Sequence, residues 1–345
     1  MGFRHFVGLG LALTFALSSG SAAAQTQPSK ELIKVNVGGP SAGYFMTYVA
    51  NDLGLYQKHG LEPKFHWFTS GAPLLAALKS GSIDQVVTGL AFVFAIGQNI
   101  PLKVISWELD NAQGAGLMVK DGSGINSIAD LSKAMKIGAA AGSCSQVSLK
   151  VMANKAGLDY RKLNVVNIAP PLFANAFSGN AIDAAVGWAP WTLVQPAGVK
   201  VVAWDPDYGG VCPSVNALRA DYMTKNPTVA AKLLAVQAEA REIIEKDPKV
   251  AIEAIGRYIQ ISPTVAKEFY ERHCCGRLPT FAQQLDPSSP WSMVSKTGGL
   301  AGQTLLASQI LAELGTIPAP LSLELIANSI DANPMREFVN SQKSK

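Results

Sequence analysis

The sequence predicts an α/β protein with two equivalent lobes, because one helix-stop-strand unit occurs twice. The first copy is PLLAALKSGSIDQVVTG, residues 73–89, and the second is PLFANAFSGNAIDAAVGWAPW, residues 171–191. Both copies open with Pro, continue with apolar residues at helical spacing, and reach Ser-Gly and then Ile-Asp before a short apolar run. Pro fits the first turn of a helix, Gly fits the left-handed residue after it, and the apolar run fits a buried strand. The matching units indicate a duplicated architecture.

The first lobe is expected to begin with residues 30–117, where strand and helix patterns alternate. Strands are predicted at 34–37, 64–68, 102–107 and 115–120, and a helix is predicted from Tyr44 to Gln57. This alternation predicts a parallel sheet with right-handed crossovers. Both repeated copies end at the carboxyl end of a strand, which is where open α/β sheets bind ligands.

The second lobe is expected to span residues 118–213, and residues 214–335 return the chain to the first lobe. The return strand leads into an all-helical part, in which Asn226-Pro227, Asp247-Pro248 and Ser262-Pro263 each predict a helix start. The tail, residues 336–345, is polar and is expected to be mobile. Two short crossings near residues 118 and 214 would join the lobes as a hinge.

The first 24 residues are typical of a cleaved secretory signal peptide. Arg4 precedes an apolar run from Phe6 to Leu17, and three alanines end just before Gln25. That run is too short to span a bilayer. We therefore expect an exported protein, located in the periplasm.

Composition and motifs exclude several function classes. A formal net charge of +4 over 345 residues, with scattered basic residues, is not typical of a nucleic-acid-binding protein. Neither glycine-rich phosphate motif is present, nor is the G-x-S-x-G motif of serine hydrolases. The His273-Cys274-Cys275 run is interpreted as a stapled or capped helix end rather than as a reactive thiol site. No metal-binding spacing is found, and no cofactor is expected.

A candidate anion site lies at Gly142-Ser143-Cys144-Ser145, between a predicted strand and a predicted helix. Free amides at a helix start, together with two hydroxyls, can hold an anion without a basic side chain. The alternative is simple capping by Ser143, which uses one hydroxyl. Corresponding candidates in the first lobe are Ser70 and Gly71, together with Thr88 and Gly89 at the end of the first repeat. Trp188 follows the second repeated strand and offers a flat apolar wall with one donor.

Four cysteines follow the signal peptide, at 144, 212, 274 and 275, where an oxidising compartment allows disulfides. Four cysteines permit three pairings, and spacing does not select one. Cys144 begins the helix of the anion site, and Cys212 lies just before the return crossing. We therefore propose a Cys144–Cys212 disulfide beside the cleft.

Three motifs carry a resemblance to a known family. They are Ser70 to Gly81 (SGAPLLAALKSG), Asn111 to Lys120, and Pro170 to Pro190 with its IDAAVGWAP ending. In this order they resemble the periplasmic taurine-binding proteins of ABC importers, which belong to the sulfonate, nitrate and taurine binding family. The resemblance covers about residues 32 to 335.

The resemblance implies a type II periplasmic binding protein, which is not an enzyme and delivers a small organic anion to a membrane permease. Tyr44, Gln113 and Trp188 are expected to line the site beyond the anion end. Two departures concern this site. The taurine binders carry Glu in the segment matching Asn111 to Gly114, where this chain offers Gln113, and they carry Thr where this chain has Cys144-Ser145. A neutral or apolar ligand tail is therefore as consistent with the sequence as taurine is.

Two alternatives remain open. The same fold is used by thiamine-pyrimidine synthases, which have a Cys-rich motif. Cys274-Cys275 faintly resembles that motif, so an enzyme is one alternative. A binding protein that hands its ligand to a chemoreceptor is the other. For the binding protein we expect a monomer.

Overall fold

Two five-stranded sheets organise the chain in a computed structural model, which describes residues 31–40, 42–69, 71–273 and 278–343. The predicted signal peptide, Ser70 and the Cys274-Cys275 pair lie outside the described residues. The first sheet contains β1 (Ile33–Pro40), β2 (Leu61–Phe68), β3 (Gln85–Thr88), β4 (Leu102–Asp110) and β10 (Pro213–Arg219). The second sheet contains β5 (Gly116–Lys120), β6 (Ile137–Ala139), β7 (Val165–Asn167), β8 (Ala184–Gly187) and β9 (Val199–Trp204). We call the two sheets with their helices lobe 1 and lobe 2.

The two sheets have the same strand order. It is β2-β1-β3-β10-β4 in lobe 1 and β7-β6-β8-β5-β9 in lobe 2. In each sheet one strand, β10 or β5, pairs antiparallel with both of its neighbours, because it arrives from the other lobe. The prediction of parallel sheets was therefore wrong for these two strands. The other described pairs, β1 with β2 and β3, and β6 with β7 and β8, are parallel.

The helices surround both sheets. Those between the strands are α1 (Phe45–Asp52), α2 (Leu55–Lys58), α3 (Gly71–Lys79), α4 (Ala91–Gly97), α5 (Cys144–Lys155) and α6 (Phe173–Ser178). Those after the last strand are α7 (Ala220–Lys225), α8 (Val229–Lys246), α9 (Pro248–Ile259), α10 (Pro263–His273), α11 (Phe281–Leu285), α12 (Gly299–Glu313), α13 (Leu323–Ser329) and α14 (Asn333–Lys343). None of the described helices is long and apolar enough to cross a membrane.

Helix boundaries follow local chemistry. The helix predicted from Tyr44 to Gln57 is interrupted by Gly54, whose φ of 65° ends α1 and starts α2. The Asp247 side chain caps α9 by accepting the Lys249 amide, as predicted. Asn226 does not cap α8, which begins two residues later than expected, after Thr228.

Side chains alternate across the second sheet, so both of its faces are buried. Leu117 and Val119 of β5 face one apolar cluster, and Met118 between them faces another with Phe173 and Phe177. In lobe 1 a larger core continues into the C-terminal helices.

The predicted mobile tail is a helix. Residues 333–343 form α14, Met335 has no exposed surface, and Phe338 and Val339 pack against the lobe 1 core. These apolar side chains recur at helical spacing and bury one face. The C-terminal helix therefore continues past residue 335, where the polar tail was expected to begin.

The chain passes between the sheets twice. The first crossing segment, residues 110–116, contains a short 3₁₀ turn, and the second, residues 204–213, contains another. The Asn111 amide donates to the Cys212 carbonyl at 3.0 Å, and the Asp205 amide donates to the Ala115 carbonyl at 2.9 Å. The crossings thus run side by side. Both start before the predicted positions near 118 and 214, because the strands that follow them begin at Gly116 and Pro213.

Candidate functional site

A small cavity lies where the two lobes and both crossing segments meet. Lobe 1 contributes the carboxyl ends of β1 and β3, and lobe 2 contributes the start of α5 and the residue after β8. The lining residues are Pro40, Tyr44, Gly71, Thr88, Gly89, Leu90, Ala91, Asn111, Ser143, Cys144, Trp188, Cys212 and Ser214. The structure thus brings together seven of the ten candidate residues: Tyr44, Gly71, Thr88, Gly89, Ser143, Cys144 and Trp188.

Four helices begin at this cavity. Tyr44 is the residue before α1, Gly71 is the first residue of α3, Leu90 is the residue before α4, and Ser143 is the N-cap of α5. Helix starts carry partial positive charge and present free amides. The cavity therefore has an environment that favours a negative group, although no Lys, Arg or His is among its described lining residues.

Four buried polar atoms on the cavity wall have no hydrogen-bond partner in the described part of the chain. They are Thr88 Oγ1, Asn111 Oδ1, Trp188 Nε1 and Ser214 Oγ. A buried polar group left unpaired costs about 1–3 kcal/mol. Since four such groups face one small space, a bound molecule or ordered water would satisfy them.

The Tyr44 hydroxyl remains a neutral donor. Burial raises the pKa of Tyr44 well above its usual range, and the charge of Glu108 raises it further, whereas the backbone amide of Gly89 opposes the rise. The side chain is 2% exposed. Tyr44 therefore offers a hydroxyl, and not a phenolate, to the cavity.

The nearby carboxyl groups are held by partners that do not line the cavity. Glu108 accepts the Thr47 amide and hydroxyl, both at 3.1 Å, and the Asn216 side-chain amide at 2.9 Å. Asp110 accepts the Ala112 amide at 3.2 Å and Trp291 Nε1 at 3.1 Å. Burial raises the pKa of both acids. No Asp or Glu is among the lining residues that the structure describes.

The hydroxyl of Ser143 is engaged within its own turn. It donates to the Ala140 carbonyl at 2.7 Å and accepts the Ser145 amide at 3.2 Å. This is the capping role that the sequence allowed as the alternative. The Ser145 hydroxyl is buried without a partner, but Ser145 is not among the lining residues.

Asn111 occupies the place at the cavity wall that was expected for Gln113. Both lie in the 3₁₀ turn of the first crossing segment, Asn111 is 3% exposed, and Gln113 is not among the lining residues. In so short a turn, a shift of two residues changes the direction of the side chain. A pattern of residue types cannot resolve such a shift.

The predicted Cys144–Cys212 disulfide is present, with its Cα atoms 5.4 Å apart. Both cysteines line the cavity. A Cβ added to Gly89 of lobe 1 would lie 3.0 Å from the Cys144 sulfur, so Gly89 packs directly against the disulfide. Closure of a loop with a separation of 68 residues contributes about 4 kcal/mol in the chain-entropy description.

Ser214 is a lining residue that the sequence did not single out. Because β10 runs antiparallel to β3, with Val215 opposite Thr88, its amino end lies beside the carboxyl end of β3. The rule that ligands bind at carboxyl ends identifies Thr88 but omits Ser214. The direction of β10 was the missing information. The described residues contain no group of three or more His, Cys, Asp or Glu that could hold a metal ion.

Comparisons with known proteins agree with this architecture. Residues 42–251 match the family model described as NMT1/THI5 like. A protein of Brucella abortus (strain 2308) whose name includes the words "binding protein" is 28% identical over 267 residues, covering 75% of this chain and 79% of that protein.

Two solved structures share the fold. The alkanesulfonate-binding protein from Xanthomonas axonopodis pv. citri, bound to MOPS, has a TM-score of 0.69 at 20% identity and covers 88% of this chain and 99% of its own. The periplasmic nitrate-binding protein from Synechocystis PCC 6803 has a TM-score of 0.72 at 12% identity, with coverage of 91% and 90%. The predicted fold class, that of a two-lobed periplasmic binding protein, is therefore confirmed.

Proposed function

Since this chain belongs to the NMT1/THI5-like family, we propose that it is a periplasmic solute-binding protein of an ABC importer. It captures a small organic anion of the sulfonate class between its lobes and delivers it to a membrane permease. A hinge rotation between the lobes closes them over the ligand. The predicted signal peptide would direct the protein to the periplasm, where it acts as a monomer.

One observation carries this proposal, namely that four helices begin at a cavity whose wall holds the unpaired donors Thr88 Oγ1, Trp188 Nε1 and Ser214 Oγ. Hydroxyls, an indole N–H and helix-start amides can together replace the hydration shell of a singly charged anion. The proposal is also supported by the names of two proteins that share the fold, an alkanesulfonate-binding protein and a nitrate-binding protein, since both ligands are small anions.

The ligand is expected to carry an uncharged tail. Glu108 and Asp110 are held by other partners, so the described wall offers no carboxylate to an ammonium group. Trp188 and the disulfide instead provide an apolar surface. An alkanesulfonate without an amino group therefore fits this cavity better than taurine does.

A calorimetric screen of alkanesulfonates, taurine, carboxylates, nitrate and neutral sugars tests the proposal. We expect binding of at least one sulfonate, and weaker binding after Thr88→Val, by about 1–3 kcal/mol through an unpaired acceptor. Thr304→Val is the matched control, because Thr304 also has a buried, unpaired hydroxyl but lies in α12 and not at the cavity. Binding of sugars or cations alone would contradict the proposal.

Two further experiments separate the alternatives. An enzyme of the kind that synthesises thiamine pyrimidines would convert a candidate substrate during incubation, which mass spectrometry detects. A chemoreceptor partner would bind the same ligand, and only deletion of the permease tells it from a transport protein. The proposal assigns no catalytic residue and no cofactor.

A further inference from the structure

Helix α5 of lobe 2 is attached to both ends of the second crossing segment. At one end, the Ser148 hydroxyl donates to Asp205 Oδ2 at 2.6 Å, and both side chains are fully buried. At the other end, Cys144 forms the disulfide with Cys212. Cys144 and Ser148 are four residues apart and so lie on one face of the helix, one turn from each other. A single turn of α5 therefore holds residues 205 and 212.

The disulfide also connects the two lobes. Cys144 begins a helix of lobe 2, whereas Cys212 directly precedes β10, whose first residue, Pro213, pairs with Asp110 of lobe 1. The Cys212 carbonyl further accepts the Asn111 amide of the first crossing segment. The disulfide is thus a third covalent connection between the lobes, beside the two passages of the main chain.

Rotation of the lobes requires backbone changes in the crossing segments. A segment fixed at both ends to one rigid helix cannot absorb a large change. The motion is then confined to the first crossing segment and to the junction of Cys212 with β10.

We infer that Cys144 and Cys212 are positioning residues of the ligand site, whose disulfide holds the start of α5 at the cavity and limits how far the lobes open. The oxidised, ligand-free protein keeps its lobes closer together than the protein without this disulfide. Its affinity is correspondingly higher, because less of the binding free energy is used to order the site. The statement about affinity rests on the proposed function, whereas the statement about opening does not.

Small-angle X-ray scattering of the ligand-free protein tests the limit on opening. Cys144→Ser/Cys212→Ser should show a larger radius of gyration than the oxidised wild type, and Cys274→Ser/Cys275→Ser is the control for replacement of the other two cysteines. If the disulfide only stabilises the fold, its loss would lower the melting temperature without changing the radius of gyration. Equal radii in folded samples would overturn the inference.

Ser148→Ala supplies a second variant that retains the disulfide. It releases only the Asp205 end of the segment, so we expect an intermediate radius of gyration. A radius equal to the wild-type value would mean that the Ser148–Asp205 hydrogen bond does not add to the limit set by the disulfide. If Cys144→Ser/Cys212→Ser does not fold, Cys144→Ala/Cys212→Ala, which leaves no polar group at the buried positions, replaces it, and a radius equal to the wild-type value would overturn the inference.

Calorimetry of the same proteins, with the sulfonate that binds the wild type most tightly, tests the statement about affinity. The double cysteine variant should bind about tenfold more weakly than the wild type, within the usual range of such couplings. Unchanged affinity would overturn the positioning role. If the wild type binds no sulfonate, the proposed function fails, while the scattering comparison still decides whether the disulfide limits opening.

Discussion

Asp205 is a buried carboxylate with an incomplete set of partners. Its Oδ2 accepts the Ser148 hydroxyl, while its Oδ1 has no partner in the described residues. The pKa of Asp205 is raised to about 7, mainly by burial and to a smaller extent by the charge of Asp110, while the Ser148 hydrogen bond opposes the rise. The folded protein therefore binds the carboxyl proton of Asp205 more tightly than the unfolded chain does.

The stability should consequently fall as the pH rises. The contribution of Asp205 is fully present below about pH 4 and is lost as the pH approaches 7, a change of at most about 4 kcal/mol. Asp205→Asn should remove this dependence and stabilise the protein at pH 8 but not at pH 5. Urea unfolding at both pH values measures the change in unfolding free energy, and Asp207→Asn, at an exposed residue, is the control. An equal loss of unfolding free energy between pH 5 and pH 8 in Asp205→Asn and in the wild type would contradict the assignment of this pH dependence to Asp205.

Asn111 allows a test of charge at the cavity wall. Asn111→Asp would place a carboxylate beside the ligand tail, which attracts the ammonium of taurine and repels a sulfonate that lacks one. We expect the affinity ratio of taurine to ethanesulfonate to rise by about tenfold, which requires about 1.4 kcal/mol. Gln113→Glu introduces the same charge two residues away and should change the ratio much less. An equal change in both variants would mean that the effect is long-range.

Sequence reasoning at this scale identified residues that end a strand or start a helix. Thr88, Gly71 and Ser143 follow from that rule alone. The hydrogen bonds of Ser143 and the direction of Asn111 depend on local turns, which residue types do not determine. Glu108 could not be placed either, because its partners come from distant segments.

At the scale of elements, the duplicated unit was the most informative feature of the sequence. Its two copies lead to the same strand order in both sheets. One detail differs, because Gly81 has a φ of 78° after α3, whereas after α6 the left-handed residue is Asn180, with a φ of 55°, and not Gly179. Asn tolerates this conformation better than most residues, so the second copy keeps the turn with a different residue.

The final helix shows where composition misleads. Residues 336–345 are mostly polar, yet Met335, Phe338 and Val339 recur at helical spacing and bury one face of α14. Periodicity, rather than mean polarity, was the relevant signal.

Packing of α14 can be tested through its buried methionine. Met335→Ala removes a side chain without exposed surface and should destabilise the protein by about 2–5 kcal/mol. Glu337→Ala, on the exposed side of the same helix, should change the unfolding free energy by less than about 0.5 kcal/mol. Urea unfolding measures both. A negligible effect of Met335→Ala would show that the helix is not part of the core.

For the whole molecule, the decisive feature is that the chain returns to lobe 1 in the opposite direction. β10 enters between β3 and β4, and it brings Ser214 and Cys212 to the cavity. The sequence predicted the return and the disulfide, but not the direction of the strand. That direction depends on long-range pairing, which has no local pattern.

The contact between Gly89 and the disulfide predicts how closely the lobes can approach. Gly89→Ala would place a Cβ 3.0 Å from the Cys144 sulfur and 3.8 Å from the Cys212 sulfur, so the lobes should close less completely. Ligand affinity should then fall by about tenfold in the oxidised protein. In a Cys144→Ala/Cys212→Ala background, the same substitution should have little effect, because the opposing atoms are gone. Calorimetry on the four proteins gives the coupling directly. An equal loss in both backgrounds would mean that the added methyl group contacts the ligand instead.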